Sequence, residues 1–162
     1  PIGGADAPAF PGRLGPLRRT VLPGSFLFRS VNTHVLLDEP LRGEVEEDRR
    51  RFFHALRRGR AFVAYDLPAS SRGFTFRAQG ERGLAEMGDR LPVGLGVTLQ
   101  VRTPRPARLV LRRNGAELRR WESAGAAVEV VTQPGVYRLE AYLGSRGAQR
   151  GWIFSNPIYL TA

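Results

Sequence analysis

Between Leu95 and Leu143 apolar and polar residues alternate in short runs separated by turn residues. Val97, Leu99 and Val101 alternate with Thr98, Gln100 and Arg102, the pattern of a strand with one buried face. Leu109 and Leu111 repeat it between Arg108 and Arg112. Asn114-Gly115 follows. Both residues tolerate positive φ, so a tight type I′ hairpin is predicted, with Glu117 to Trp121 as the returning strand. Ala126 to Thr132 reads as a further strand with Val128 and Val130 on one face, closed by the turn Gln133-Pro134-Gly135. Tyr137, Leu139, Ala141 and Leu143 then point one way and Arg138, Glu140 and Tyr142 the other. Trp152 to Phe154 and Ile158 to Leu160 complete the series, split by Asn156-Pro157. Strands at roughly 8–12-residue spacing argue for a β-sandwich.

Ahead of this ladder the periodicity changes. Residues 1–23 are rich in Gly, Pro and Ala and read as a strand end followed by an irregular connection. Ser25 after Pro23-Gly24 is a candidate N-cap, predicting two helical turns from Phe26 to Val31 with Phe26, Leu27, Phe28 and Val31 buried. Asn32-Thr33 would break that helix, and His34 to Leu37 would form a buried strand. Glu44 to Arg58 is the clearest helix. Its acids Glu44, Glu46, Glu47 and Asp48 crowd the first turn and Arg57 and Arg58 the last, as the helix dipole favours. Val45, Phe52, Ala55 and Leu56 form its apolar stripe, and Gly59 is the expected stop. Arg60 to Asp66 and Gly73 to Gln79 read as strands, and Gly80 to Gly94 as a loop. The order predicts an α/β portion over residues 1–66 and an all-β portion over residues 67–162, with a boundary near Asp66 to Arg72.

Composition narrows the classes. The 162 residues suffice for one ordinary domain or a little more. No cysteine is present, which excludes disulfides and thiolate metal sites. No apolar run approaches the roughly 20 residues that span a bilayer, and no signal peptide is evident, so a soluble chain is expected, with compartment undefined. The first residue is Pro1 rather than Met, which reads as a fragment or a processed product. Net charge is +10, and all 25 basic residues are arginine. That admits a polyanion surface or simply a GC-rich genome that encodes its surface cations as Arg, and the second reading disfavours nucleic acid as a partner. The local candidate for polyanion contacts is the group Arg102, Arg108, Arg112, Arg113, Arg119 and Arg120, joined by Arg105 and holding one acid, Glu117. No aromatic side chains interleave it, as a single-strand stacking platform requires.

The usual catalytic patterns are missing. His34 and His54 have no partner at ligand spacing, no serine sits in a nucleophile elbow, and no Gly-rich phosphate loop follows a strand. The acid pairs are accounted for by a turn (Asp38-Glu39) and by the helix start. Asp89, after Met87-Gly88, reads as a turn residue.

Several segments nevertheless resemble one family. Gly3-Gly4-Ala5-Asp6-Ala7 is similar to the late metal-binding motif of PHP-domain (polymerase and histidinol phosphatase) phosphoesterases, Gly-x-Asp-Ala-His. Residues 27–34, 59–66 and 152–159 resemble other segments of the same subfamily, in the family's order. The entry into the strand at Pro134-Gly135-Val136-Tyr137 resembles the penultimate strand of an immunoglobulin-like sandwich, where a tyrosine anchors the corner. The resemblance implies a mainly β chain with an α/β start: the end of a PHP-type (β/α) barrel followed by an immunoglobulin-like β-sandwich. It implies no catalytic residue in this chain, Asp6 as its one metal-contacting residue, and the remainder of the parent barrel as partner. The parent would hydrolyse phosphoesters with bound Mn, Zn or Fe. It also implies a departure, because Pro8 stands where the family has the ligand histidine. A single carboxylate does not hold a catalytic cation. Two rival readings remain open: a β-sandwich that binds carbohydrate or protein through Trp121, Trp152, Tyr142 and Tyr159, and polyanion binding by the arginine group.

Overall fold

A computed structural model of the chain describes residues 1–5, 10–14, 17–21, 24–145 and 148–162. The strands β1 (Phe10–Leu14) and β2 (Leu17–Val21) form a separate antiparallel hairpin. A single turn of helix, α1 (Gly24–Leu27), leads into β3 (Val31–Val35), α2 (Val45–Arg57) and β4 (Ala61–Tyr65). Then follow β5 (Thr75–Gly80), β6 (Gly83–Glu86), β7 (Arg90–Pro92), β8 (Val97–Arg113), β9 (Ala116–Val131), β10 (Gly135–Ser145), β11 (Ala148–Ser155) and β12 (Ile158–Thr161). The chain is mainly β, with 56% of it in strands and 11% in helices, and its main sheet curls into an antiparallel half-barrel. Strand order along the main path is β3-β4-β11-β10-β8-β5-β6. Among the described residues, the one parallel pairing is β7 with β12.

The predicted alternation of β8 is realised over a longer strand than expected. Two predicted runs merge into β8, and two more merge into β9, to make one long hairpin about Asn114 and Gly115, whose φ values are +51° and +87°. The first half of β8 pairs with β5 (Phe76 opposite Val101) and its second half with β10 (Leu139 opposite Leu111). The hand-over falls at residues 103–106, where the β8–β9 register shifts. Pro104 and Pro106 have no N–H to give a neighbouring strand. Buried Thr103 steadies the bend by donating its hydroxyl to the Arg105 carbonyl at 2.9 Å.

The core fills the concave side. Leu99, Leu109, Leu111, Leu139, Ile153, Ile158, Phe76, Met87 and Trp152 are almost wholly buried. Full burial of side chains of this size contributes about 1.5–3 kcal/mol each. Tyr137 joins them and donates its hydroxyl to the Gln133 carbonyl at 2.7 Å, so the ring sits in the core with its polar tip satisfied.

Several local expectations change. Phe26 and Phe28 are exposed, the helix stops after Leu27, and Asn32 and Thr33 lie inside β3 instead of ending a helix. The reason is pairing: each residue of β3 has an opposite number in β4, from Val31–Tyr65 to Val35–Ala61. The segment from Gly80 to Gly94, expected as a loop, contains β6 and β7. Both are short strands held by neighbours distant in sequence or by tight turns, so periodicity does not reveal them. Val128 and Val130 share a face as expected, but it is the solvent face, because they stand opposite the outward-facing Gln100 and Thr98 of β8. The stripe on α2 is largely uncovered: Val45 and Phe52 are exposed, and Ala55 is its buried member. The loop at Asp66 to Arg72 does separate β4 from β5. Hydrogen bonding nonetheless runs across that division, because β4 pairs with β11 (Val63 opposite Phe154).

One turn fastens α2 to the sheet. Gly88 donates its N–H to the Pro157 carbonyl at 2.7 Å, and Asp89 accepts from Arg58 at 2.6 Å and Arg60 at 3.2 Å. Gly88 has φ +89°, and a Cβ there would lie 1.9 Å from the Arg58 carbonyl oxygen. Gly43 has a similar φ of +87° with open space around it. G88A is therefore expected to cost about 3 kcal/mol or more, against about 1 kcal/mol for G43A. Urea unfolding of the two variants measures the difference, and equal losses would show that the close approach carries no weight.

Candidate functional site

β3 and β4 bring together a polar cluster that the sequence does not announce. His34 on β3 reaches Asp66, just beyond β4, with Nε2 2.7 Å from Oδ2. Asn32, two residues earlier on the same face of β3, donates to the same oxygen at 3.1 Å. The chain then turns, and Ser71 donates both its backbone N–H (3.0 Å) and its hydroxyl (2.7 Å) to Asp66 Oδ1. The Trp152 indole N–H anchors this loop through the Ala69 carbonyl at 2.8 Å. The His34 ring stacks flat on Phe62, with centroids 4.6 Å apart.

Serine, histidine and aspartate here do not make a nucleophilic triad. Such a triad uses opposite ring nitrogens, one toward the carboxylate and one toward the nucleophile. Here Ser71 Oγ and Asp66 Oδ2 approach the same atom, His34 Nε2, at 3.1 and 2.7 Å. Ser71 is also fully buried, so no substrate reaches it. The cluster is a hydrogen-bonded knot that orients the imidazole and fastens the loop.

The knot forms the floor of an open depression of about 440 Å³ lined by Phe28, Arg29, Asn32, His34, Leu67 and Arg72, among others. On the far side of Leu67 lies a second depression of about 500 Å³, lined by Phe26, Tyr65, Leu67, Leu143, Arg105 and Arg150, among others. Arg29, Arg72, Arg105 and Arg150 are exposed and form no ion pair among the described residues.

The arginine group expected to meet polyanions is mostly engaged within the molecule. Arg112 donates to Glu140 at 2.7 Å, and Arg138 reaches the same carboxylate at 2.9 Å. Glu140 is itself 4% exposed and also accepts the Tyr142 hydroxyl at 2.8 Å. Its hydrogen bond holds the Arg112 charge more firmly, while burial, followed by that same carboxylate, pushes the Tyr142 phenol up. Arg108 lies over the Tyr142 ring at 5.1 Å. Arg120 pairs with Glu117 at 2.8 Å, Arg119 approaches Glu129 at 3.8 Å, and Arg113 bonds Gln133 and the Pro134 carbonyl. Of the six, Arg102 alone is exposed with no side-chain partner among the described residues.

Asp6 lies outside the described residues. Gly3, near the start of its motif, does not: Thr33 Oγ1 accepts the Gly3 N–H at 3.0 Å and donates to the Gly3 carbonyl at 2.8 Å. Among the described residues no three His, Asp or Glu side chains converge in a way that could hold a metal ion. These residues alone therefore do not fit the divalent cations that the resemblance implies. His54 is exposed on α2. Trp152, offered as part of an aromatic binding patch, is fully buried, and Trp121, Tyr142 and Tyr159 are partly so.

Of the knot, sequence reasoning singled out His34 alone. The one further signal was local: an aspartate at a strand end followed by Ser70-Ser71 has the composition of a side-chain-capped turn. Comparison with protein-family models, with curated proteins and with solved structures found no match to this chain.

Asp66 gives the knot a pH dependence. Burial raises its pKa, but the hydrogen bonds from Ser71, His34 and Asn32 outweigh burial and hold it below the ordinary value. A carboxyl depressed in the folded state contributes stability above its unfolded pKa of about 3.9 and loses it as pH falls through the folded value. D66N is expected to lower stability by about 1–2 kcal/mol at pH 7, with the gap to wild type closing below about pH 4. Urea midpoints taken from pH 7 to pH 2 test this. A gap that persists unchanged at pH 2 would mean that the ionised carboxylate is not what matters.

Proposed function

We propose that this chain is a non-catalytic segment of a PHP-like metal-dependent phosphoesterase, supplying an accessory β body that steadies the catalytic barrel. The observation that carries the reading is the joint at the N-terminus. The Gly3 backbone is clamped by Thr33 through two hydrogen bonds, and a Cβ at Gly3 would meet Val63 at 2.5 Å. The backbone leading into the Asp6 motif thus lies tight against β3 and β4, where only glycine allows so close an approach.

The β body supports an immunoglobulin-like assignment in one respect. Tyr137, near the start of β10, bonds back to the carbonyl four residues upstream, as the tyrosine corner of such sandwiches does. Strands β3 and β4 bear on the barrel portion of the proposal. They are antiparallel neighbours, whereas successive strands of a (β/α) barrel are parallel. We therefore confine the barrel remnant to the residues ahead of β1, since β1 and β2 are antiparallel as well, and assign residues 31–65 to the β body. In this reading phosphoester hydrolysis, with Mn, Zn or Fe, belongs to upstream residues. Asp6 contributes one ligand, and Pro8 cannot supply the second.

Calorimetric titration with Mn²⁺ and Zn²⁺ tests the reading, on this chain and on a polypeptide extended upstream through the barrel. The extended polypeptide is expected to bind stoichiometrically and this chain not to. T33V in the extended polypeptide should weaken metal binding about tenfold, within the range typical of lost outer-shell support. Tight stoichiometric binding by this chain alone would overturn the proposal, and indifference to T33V would remove the joint from it.

A further inference from the structure

Arg29, Arg72, Arg150 and, at the bend of β8, Arg105 are exposed and form no ion pair among the described residues. They lie around Leu67, in two adjoining depressions of similar make-up. The first, about 440 Å³, presents exposed Phe28 with Arg29 and Arg72. The second, about 500 Å³, presents exposed Phe26 with Arg105 and Arg150. Leu67 lines both and is itself 37% exposed. Each depression therefore pairs one exposed phenylalanine with two guanidinium groups that form no ion pair among the described residues. These residues come from distant parts of the chain: α1 and the turn after it, the loop after β4, the bend of β8, and β11.

We propose that the face divided by Leu67 binds single-stranded nucleic acid, with bases stacked on Phe26 and Phe28 and phosphates met by Arg29, Arg72, Arg105 and Arg150. An aromatic ring offers a base its face only when the base is unstacked, which selects single strands over duplex. Arginine supplies the charge and the forked donors that phosphate oxygens accept. Asn32 and Ser70 add neutral polar groups to the first depression. The one acid there, Asp66, is occupied by His34, Asn32 and Ser71, so its oxygens are already hydrogen-bonded. A lipid surface would match the phenylalanines and arginines but would leave these recessed polar groups without partners. The single-strand assignment accounts for all of them.

Fluorescence anisotropy with labelled dT12 and rU12, over a range of salt, tests the proposal on the whole chain. Four phosphate contacts at about 0.7 each predict a slope of log K against log salt near −3. R29Q/R72Q/R105Q/R150Q should flatten that slope toward zero. F26A/F28A should weaken binding about tenfold or more while leaving the slope unchanged. R119Q/R120Q, on the hairpin, should change little. Thermal melts of each variant establish that it is folded, and all the changed side chains are exposed. Three results would overturn the proposal. They are no retention of either oligonucleotide at low salt, loss through R119Q/R120Q instead of the Leu67 face, and binding that ignores F26A/F28A while inorganic polyphosphate or phosphatidylserine vesicles compete equally well.

Discussion

Pro104 and Pro106 set the shape of this protein. One strand, β8, serves both halves of the curled sheet, and it changes partner from β5 to β10 at the point where two prolines remove two backbone donors. A straight strand of that length would keep one set of neighbours and build a flat sheet. The bend lets the inward faces of both halves, Val97 to Val101 on one side and Leu109 to Leu111 on the other, meet over a common core. β9 follows β8 around the bend, absorbing it through register shifts and a positive φ at Ser123. Bulges of this kind are how sheets turn corners without losing their ladders.

The remaining features hang on that core. Trp152 buries its ring in it and uses its indole N–H to hold the loop that carries Ser71. Ser71, Asn32 and His34 then satisfy Asp66, so the polar knot at the sheet edge rests on a hydrophobic anchor one strand away. The Gly88 turn does the same for α2, whose own apolar stripe covers little. The helix keeps its place through carbonyl and carboxylate contacts at its C-terminal end rather than through burial. The two depressions beside Leu67 lie where the β4–β5 loop, the β8 bend and the end of the β10–β11 hairpin meet, and such loop clusters on rigid sheets are common places for binding.

Charge was the property least legible along the chain. The arginines from Arg102 to Arg120 look like a patch because they are close in sequence, but strand pairing places Glu140 between Arg112 and Arg138 and sets Arg119 beside Glu129. Conversely, Arg29, Arg72, Arg105 and Arg150 have no sequence proximity at all and line one divided surface. A charge becomes a free charge only after its neighbours are known, and those neighbours belong to other strands.

The sequence by itself determined what depends on residues a few positions apart. The alternation in β5, β8 and β10, the dipole-matched ends of α2, the Asn114-Gly115 turn and the interruption at Asn156-Pro157 all follow from local sterics and periodicity, and all are found where they were expected. Tertiary structure alone decided the rest. Phe26 to Val31 has helical composition, but β4 offers a complete ladder to Val31, Asn32 and Thr33, and cross-strand hydrogen bonds outweigh a weak local preference. β6 and β7 are too short to show a period and exist because β5 and β12 supply partners. The face of β9 that meets water was settled by its register with β8, since alternation marks two faces without saying which is inside. The β3–β4 ladder brings Asn32 and His34 to Asp66, more than thirty positions away, and the Leu67 depressions gather residues from still more scattered elements.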